Sequence, residues 1–230
     1  MATTPENRSQ LYGYADGEKY AGKSMADVFY EIAEGHVWMS DESVSGIGSS
    51  QAQTQTIIRE LPGVWSRLGV HSLLDAPCGD FNWMRHVDLT GIRYTGGDIV
   101  VSLVAQNQQN HHSEKVSFVH LDLMNGPLGT HDLLFCRDCL VHFSFDAIWT
   151  TFQTIGNSGI GLVMMTTFPG QDNNQDIITG GWRPLNFEKA PFNLPPPLFV
   201  LNERCTEMDG AFADKSLAVW KSEDLIGSRG

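Results

Sequence analysis

Four short apolar runs in this chain each end at or beside an acid, and stretches of helical spacing separate them. Leu73 and Leu74 lead to Asp75. Residues 92–94 continue through Thr-Gly-Gly to Asp98, residues 116–121 end at Asp122, and residues 133–139 carry Arg137 and Asp138 near their end. A fifth apolar run, residues 160–167, reads as a buried strand. Strands alternating with helices argue for a parallel sheet with helices on both faces. In such an open sheet, ligands sit outside the carboxyl ends of the strands. The acids are therefore expected to gather at one crevice.

The chain before this pattern is different. Residues 1–22 are polar and rich in Tyr, Gly and Lys, which predicts a partly mobile end. Residues 24–34 place Met25, Val28, Phe29 and Ile32 at helical spacing, with Ser24 as N-cap and Gly35 as stop. Residues 36–51 are rich in Ser and Gly behind Trp38 and read either as a flexible connector or as a lid over a ligand, the Trp favouring the lid, with Trp38, Ser45 and Ser50 as contacts. Residues 50–68 then form a helix that Pro62 is expected to kink or split. This divides the chain into an extension and lid (1–50) and a main domain (51–230). After the fifth strand, residues 169–197 hold six prolines and three glycines. Trp182, Arg183, Phe187 and Phe192 in that stretch favour a packed, functional loop. Residues 198–202 and 216–221 read as a closing antiparallel pair.

A length of 230 residues and 41% hydrophobic content suffice for one sizeable core. The net charge of −12, with no Lys/Arg cluster, excludes a nucleic-acid footprint and fits an anionic membrane surface poorly. No secretory signal or apolar run of spanning length appears, so four reduced cysteines in a cytoplasmic protein are expected. Cys136-x-x-Cys139 has redox spacing but lies in an apolar strand and lacks a second pair for zinc.

The stretch D-A-P-C-G-D-F-N-W-M (75–84) resembles the first motif of class I S-adenosylmethionine-dependent methyltransferases, an acid followed by three glycines at alternate positions. Asp75 matches the acid and Gly79 the middle glycine, while Pro77 and Phe81 stand where the other two belong. Together with E-S-V-S-G-I-G-S-S (42–50), C-R-D-C-L-V-H-F-S-F (136–145) and T-G-G-W-R-P-L-N-F (179–187), it looks like a small branch that includes sugar O-methyltransferases. The resemblance covers about residues 50–221. It implies a Rossmann-like fold with a mostly parallel seven-stranded sheet, a C-terminal antiparallel strand and an N-terminal helical lid.

It also implies a site. Asp98, about twenty residues past the turn, would hold the ribose hydroxyls, because a carboxylate accepts two hydrogen bonds at once. Asp122 would contact the adenine amino group, with Leu123 and Met124 flanking the ring, and Asp75, Pro77, Gly79, Ile99 and Arg137 would line the donor. The acceptor would be a small molecule or glycan. His142 is the candidate base, since a sugar hydroxyl must lose its proton and imidazole titrates in the right range. Asp138 would either orient His142 or bind substrate hydroxyls. A less favoured reading makes Asp138, His142 and Asp176 or Glu203 ligands of Mg²⁺. Trp182 would stack on a sugar face, with Arg183 and Asn186 bonding its hydroxyls. Arg183 also keeps open a carboxylate acceptor. A nicotinamide-dependent Rossmann enzyme wants G-x-G-x-x-G, which the chain lacks. A non-catalytic scaffold is the third class.

Overall fold

A computed structural model describes residues 17–226. Seven strands form one sheet: β1 (Ser72–Asp75), β2 (Arg93–Asp98), β3 (Val116–His120), β4 (Leu133–Cys136), β5 (Leu162–Thr167), β6 (Phe199–Asn202) and β7 (Ser216–Lys221). Their order is β3-β2-β1-β4-β5-β7-β6. β1 to β5 pair in parallel, and β7 runs antiparallel to both β5 and β6. β1 lies between β2 and β4, so the chain reverses its direction of winding there. This topological switch point puts Asp75 at the mouth of the crevice.

The helices are α1 (Met25–Glu34), α2 (Gln51–Leu68), α3 (Val101–His111) and α4 (Phe145–Gly156), with two short ones, α5 (Glu207–Gly210) and α6 (Ser222–Ile226). Ser24, Ser50 and Ser144 cap α1, α2 and α4, each accepting the N–H three residues on. Such caps satisfy N–H groups that no helical turn can reach. Apolar side chains from the helices cover both faces of the sheet. Phe152, Ile155 and Trp220 sit in one layer, and Trp65, Tyr94 and Phe135 in the other. No helix among the described residues is long and apolar enough to cross a membrane.

Several expectations need correction. Pro62 does not split its helix: α2 runs unbroken from Gln51 to Leu68, with Ile57, Leu61, Val64 and Trp65 buried on either side of the proline. Of residues 1–22, the first sixteen lie outside the described residues, and Tyr20 is not loose but packs with Val28 and Ile32. No α-helix follows the turn after β1. One 3₁₀ turn, Met84–His86, makes that crossover. All four cysteines are buried free thiols.

Candidate active site

The strand-end acids open onto a cavity of about 520 Å³, within the range of small-molecule sites. Asp75, Asp98, Asp122 and Asp138 all line it. Their positions follow from sheet register. Asp75 pairs with Gly96 and Phe135, and Asp98 lies two residues further along β2. Parallel strands therefore deliver successive carboxylates to one edge.

Asp98 builds the turn. Its Oδ2 accepts Gly79 N–H and its Oδ1 accepts Val100 N–H, both at 2.9 Å. A carboxylate offers about four lone-pair sites, so about two remain for ligand hydroxyls. Burial raises the pKa of Asp98, against the pull of these backbone bonds. Gly79 takes φ 55°, and a Cβ there would run into Ser45 Oγ, so glycine suits both the turn and its close contact with residues 43–49. Phe81, at the missing third glycine, also adopts a left-handed φ of 57°. Its ring, packed about 5 Å from Tyr94 and Phe118, holds it there. Such a conformation costs about 1–2 kcal/mol, which burying an aromatic ring offsets.

Asp75 is buried and accepts a hydrogen bond from Tyr94 Oη at 2.5 Å. Burial raises its pKa to about 7, against the effect of that bond. Asp122 holds the next turn, accepting Met124 N–H at 2.8 Å and Asn125 Nδ2 at 2.7 Å. Pro77, Ile99 and Leu123 complete this half of the wall.

Residues 44–49 line the cavity beside the Gly79 turn. Asp80 accepts Ser43 Oγ and Val44 N–H, both at 3.0 Å, and Glu42 accepts Gln51 N–H and Asn82 Nδ2. The first-motif turn and the lid thus share one hydrogen-bond network. Trp38 and Ser45 line the cavity. Ser50 does not, since its hydroxyl is spent on the α2 cap. Trp38 stacks on His142 at 4.8 Å between ring centroids.

His142 is buried in a 3₁₀ turn, Leu140–His142, just beyond β4. Its Nδ1 lies 2.7 Å from Gly181 O. A carbonyl only accepts, so Nδ1 carries the proton and Nε2 the lone pair. Burial lowers its pKa to about 4, keeping the ring neutral near pH 7. Asp138 does not orient it. That carboxylate instead accepts Lys215 Nζ at 2.6 Å and lies 3.3 Å from Arg137. Asp138 itself takes a left-handed φ of 51° and donates its N–H to Thr166 Oγ1. Burial opposes its charge, but Lys215 and Arg137 outweigh that and bring its pKa to about 2.

The Mg²⁺ set does not assemble. An ammonium holds Asp138, Glu203 pairs with Arg137 at 2.8 Å, and Asp176 accepts Phe145 N–H at the start of α4. Among the described residues no three His, Cys, Asp or Glu side chains stand together as a metal site. Arg137 lines the cavity, but its guanidinium also reaches Gly48 O in the lid at 2.8 Å and lies over Trp83.

Trp182 lines the cavity beside Phe168 and Phe212. Arg183 and Asn186, expected to bind substrate, do not reach it. Arg183 is 1% exposed and donates to the carbonyls of Leu140, Phe143 and Gln175, so it fixes the turn that carries His142. Asn186 ties its own loop together, donating to Pro169 O and Gln171 O. Lys215, Glu207 and Trp83 are wall residues that the sequence did not single out.

No protein-family model and no curated protein matches the sequence. Solved structures do match. PigF with SAH gives a TM-score of 0.60 at 12% identity, covering 94% of this chain and 68% of PigF. The 1,6-didemethyltoxoflavin-N1-methyltransferase of Burkholderia thailandensis, with S-adenosylhomocysteine bound, gives 0.58 at 16% identity and 90% of both chains. Magnesium protoporphyrin IX methyltransferase of Synechocystis PCC 6803, with SAM bound, gives 0.51 at 15% identity, 96% of this chain and 98% of that one. Together with the strand order, these similarities show that the chain has the Rossmann-like fold of class I methyltransferases.

Proposed function

We propose that this protein is an S-adenosylmethionine-dependent O-methyltransferase whose acceptor is a hydroxyl on a small molecule. The observation that carries the reading is the sharing of one cavity by the Gly79 turn, the acids of β1 to β3 and a buried, neutral His142. The cofactor fits the donor set. Asp98 keeps lone pairs for two ribose hydroxyls, Gly79 clears the backbone approach, and Ile99 and Leu123 offer apolar faces to a base. When bound, it supplies an electrophilic methyl group on a sulfonium.

The chain's own task is then positioning and proton removal. Holding the two reactants in line can supply much of the rate. His142 Nε2 takes the hydroxyl proton, while Gly181 O holds the ring through Nδ1. Trp38 shields the ring and, with the lid, excludes water. Phe29, Phe168, Trp182 and Phe212 give the acceptor half aromatic walls. They suit an acceptor with a flat or apolar face, and a sugar qualifies through stacking on Trp182 alone.

Arg183, the residue that kept a carboxylate acceptor open, is spent on backbone carbonyls. A nicotinamide cofactor would need a helix N-terminus after β1 for its pyrophosphate, and only the Met84–His86 turn follows. The test is calorimetry with S-adenosylhomocysteine and NAD, followed by a methyl-transfer screen over hydroxylated and acidic acceptors. We expect binding of the first ligand alone, and methylation of a hydroxyl that His142→Ala abolishes. Binding of NAD alone, or carboxyl methylation that survives His142→Ala, refutes the reading.

A further inference from the structure

Lys215 stands directly before β7 and lines the cavity, yet only 5% of it is exposed. An ammonium carries three donors. Among the described residues one is used at hydrogen-bond distance, on Asp138 Oδ2 at 2.6 Å. The carboxylates of Glu207 and Glu203 stand farther off, at 3.7 and 4.0 Å. Burying an ammonium with donors unspent is costly, and the open side of this one is the cavity. Asp138 is held against it from a left-handed backbone conformation that non-glycine residues rarely take, of the kind that clusters at functional sites. His142 lines the same cavity as the pair.

We propose that Lys215 and Asp138 form a two-point clamp for an acceptor with two neighbouring oxygens. Lys215 donates to one oxygen and Asp138 accepts the hydrogen of the other, while His142 takes the proton of the hydroxyl to be methylated. The acceptor class is thus a vicinal diol or catechol-like compound. The clamp does with an ammonium what a divalent ion would do by ligating both oxygens. The inference rests on the methyltransferase reading and goes beyond it, because that reading requires only one hydroxyl.

The experiment measures binding of matched probes to the protein saturated with S-adenosylhomocysteine: catechol against phenol, and cis-1,2-cyclohexanediol against cyclohexanol. The wild type is expected to bind the vicinal member of each pair about tenfold tighter, the worth of one charge-assisted hydrogen bond. Lys215→Met is expected to erase that preference while leaving S-adenosylhomocysteine affinity within about threefold. Because Lys215→Met leaves a buried carboxylate without its partner, Lys215→Met/Asp138→Asn is measured beside it, with thermal melts to confirm folding. Lys215→Arg is expected to retain part of the preference. Equal binding of both members by the wild type overturns the clamp. So does a tenfold loss of S-adenosylhomocysteine affinity in the folded variants, which would place Lys215 on the donor instead. A wild type that binds no S-adenosylhomocysteine removes the methyltransferase reading itself.

Discussion

Asp98→Asn tests the donor site at its narrowest point. Two backbone N–H groups, of Gly79 and Val100, each use one oxygen of Asp98. The amide offers one oxygen and one NH₂, so one of these N–H groups faces a donor and goes unpaired, at a cost of about 1–3 kcal/mol. Burial disfavours the charge of Asp98, and removing that charge offsets part of the loss. Stability should therefore change little, by a few degrees in Tm for a chain of this size. Ligand affinity has no such compensation. Ribose hydroxyls that bond to a charged acceptor, at about 1.5–3 kcal/mol each, would meet a neutral amide worth about 1 kcal/mol. The net loss of about 0.5–2 kcal/mol per hydroxyl, or about 1–4 kcal/mol for two, corresponds to roughly 5- to 1,000-fold in Kd for S-adenosylhomocysteine. Titration calorimetry reads the affinity and a melt without ligand reads the fold. If Kd stays within twofold of wild type while Tm falls, Asp98 is a turn residue only, and the ribose lies elsewhere.

Four further outcomes follow from the same geometry. His142→Gln should lower kcat by about 100- to 10,000-fold with S-adenosylhomocysteine affinity unchanged; in the wild type, activity should be flat at neutral pH and fall as pH drops through about 4, where Nε2 gains a proton. Stability carries the same sign for this group: the unfolded imidazole takes its proton near pH 6.5 and the folded one resists until about 4, so up to about 3 kcal/mol is lost across that window on acidification. Asp75 works in the opposite direction, because its folded pKa of about 7 lies above the unfolded value of 3.8, so stability is lost as pH rises between them. Asp75→Asn should remove that loss and raise Tm relative to wild type increasingly from pH 4 to 7, and a pH-independent difference would refute the assignment. Gly79→Ala should destabilise the lid contact and weaken S-adenosylhomocysteine binding, with Ser45→Ala recovering part of both in a double-mutant cycle. Asp80→Ala, which releases Ser43 and Val44, should speed hydrogen exchange over residues 43–50 and raise the ligand off-rate about tenfold, while an unchanged exchange pattern would show that the lid is held by other contacts.

The parts of the fold that could be read from the sequence are those set by local period and register. A strand ending in an acid needs only its own few residues to be recognised, and parallel pairing then places Asp75, Asp98 and Asp122 together. Ser50 shows the limit of that logic. A serine before an amphipathic helix satisfies the helix N-terminus first, and that demand outranked a ligand. Arg183 looked like a substrate ligand because a lone arginine in a proline-rich loop has no visible local partner. Its partners, the carbonyls of Leu140 and Phe143, lie some forty residues earlier, in and just after the 3₁₀ turn that carries His142. Lys215 carried no signal at all, since the residue that explains it, Asp138, is 77 positions away.

These failures share a cause that bears on how such a site works. The donor half rests on strand ends whose positions the sheet dictates, so its residues vary little in placement once the strands pair. The half we propose for the acceptor is assembled from the loop after β5 and the segment before β7, and the lid bonds to both halves, at Asp80 and at Arg137. Arg137 joins the two halves: it stands at the end of β4, pairs with Glu203 and Asp138, and bonds the lid at Gly48 O. Breaking a buried pair of this kind costs about 3–5 kcal/mol. Arg137→Met should therefore loosen lid and acceptor wall together while leaving the strand-end acids in place. Because the lid also packs on the Gly79 turn, both affinities should fall, acceptor affinity the more, and a variant with unchanged acceptor affinity would show that Arg137 does not hold that wall.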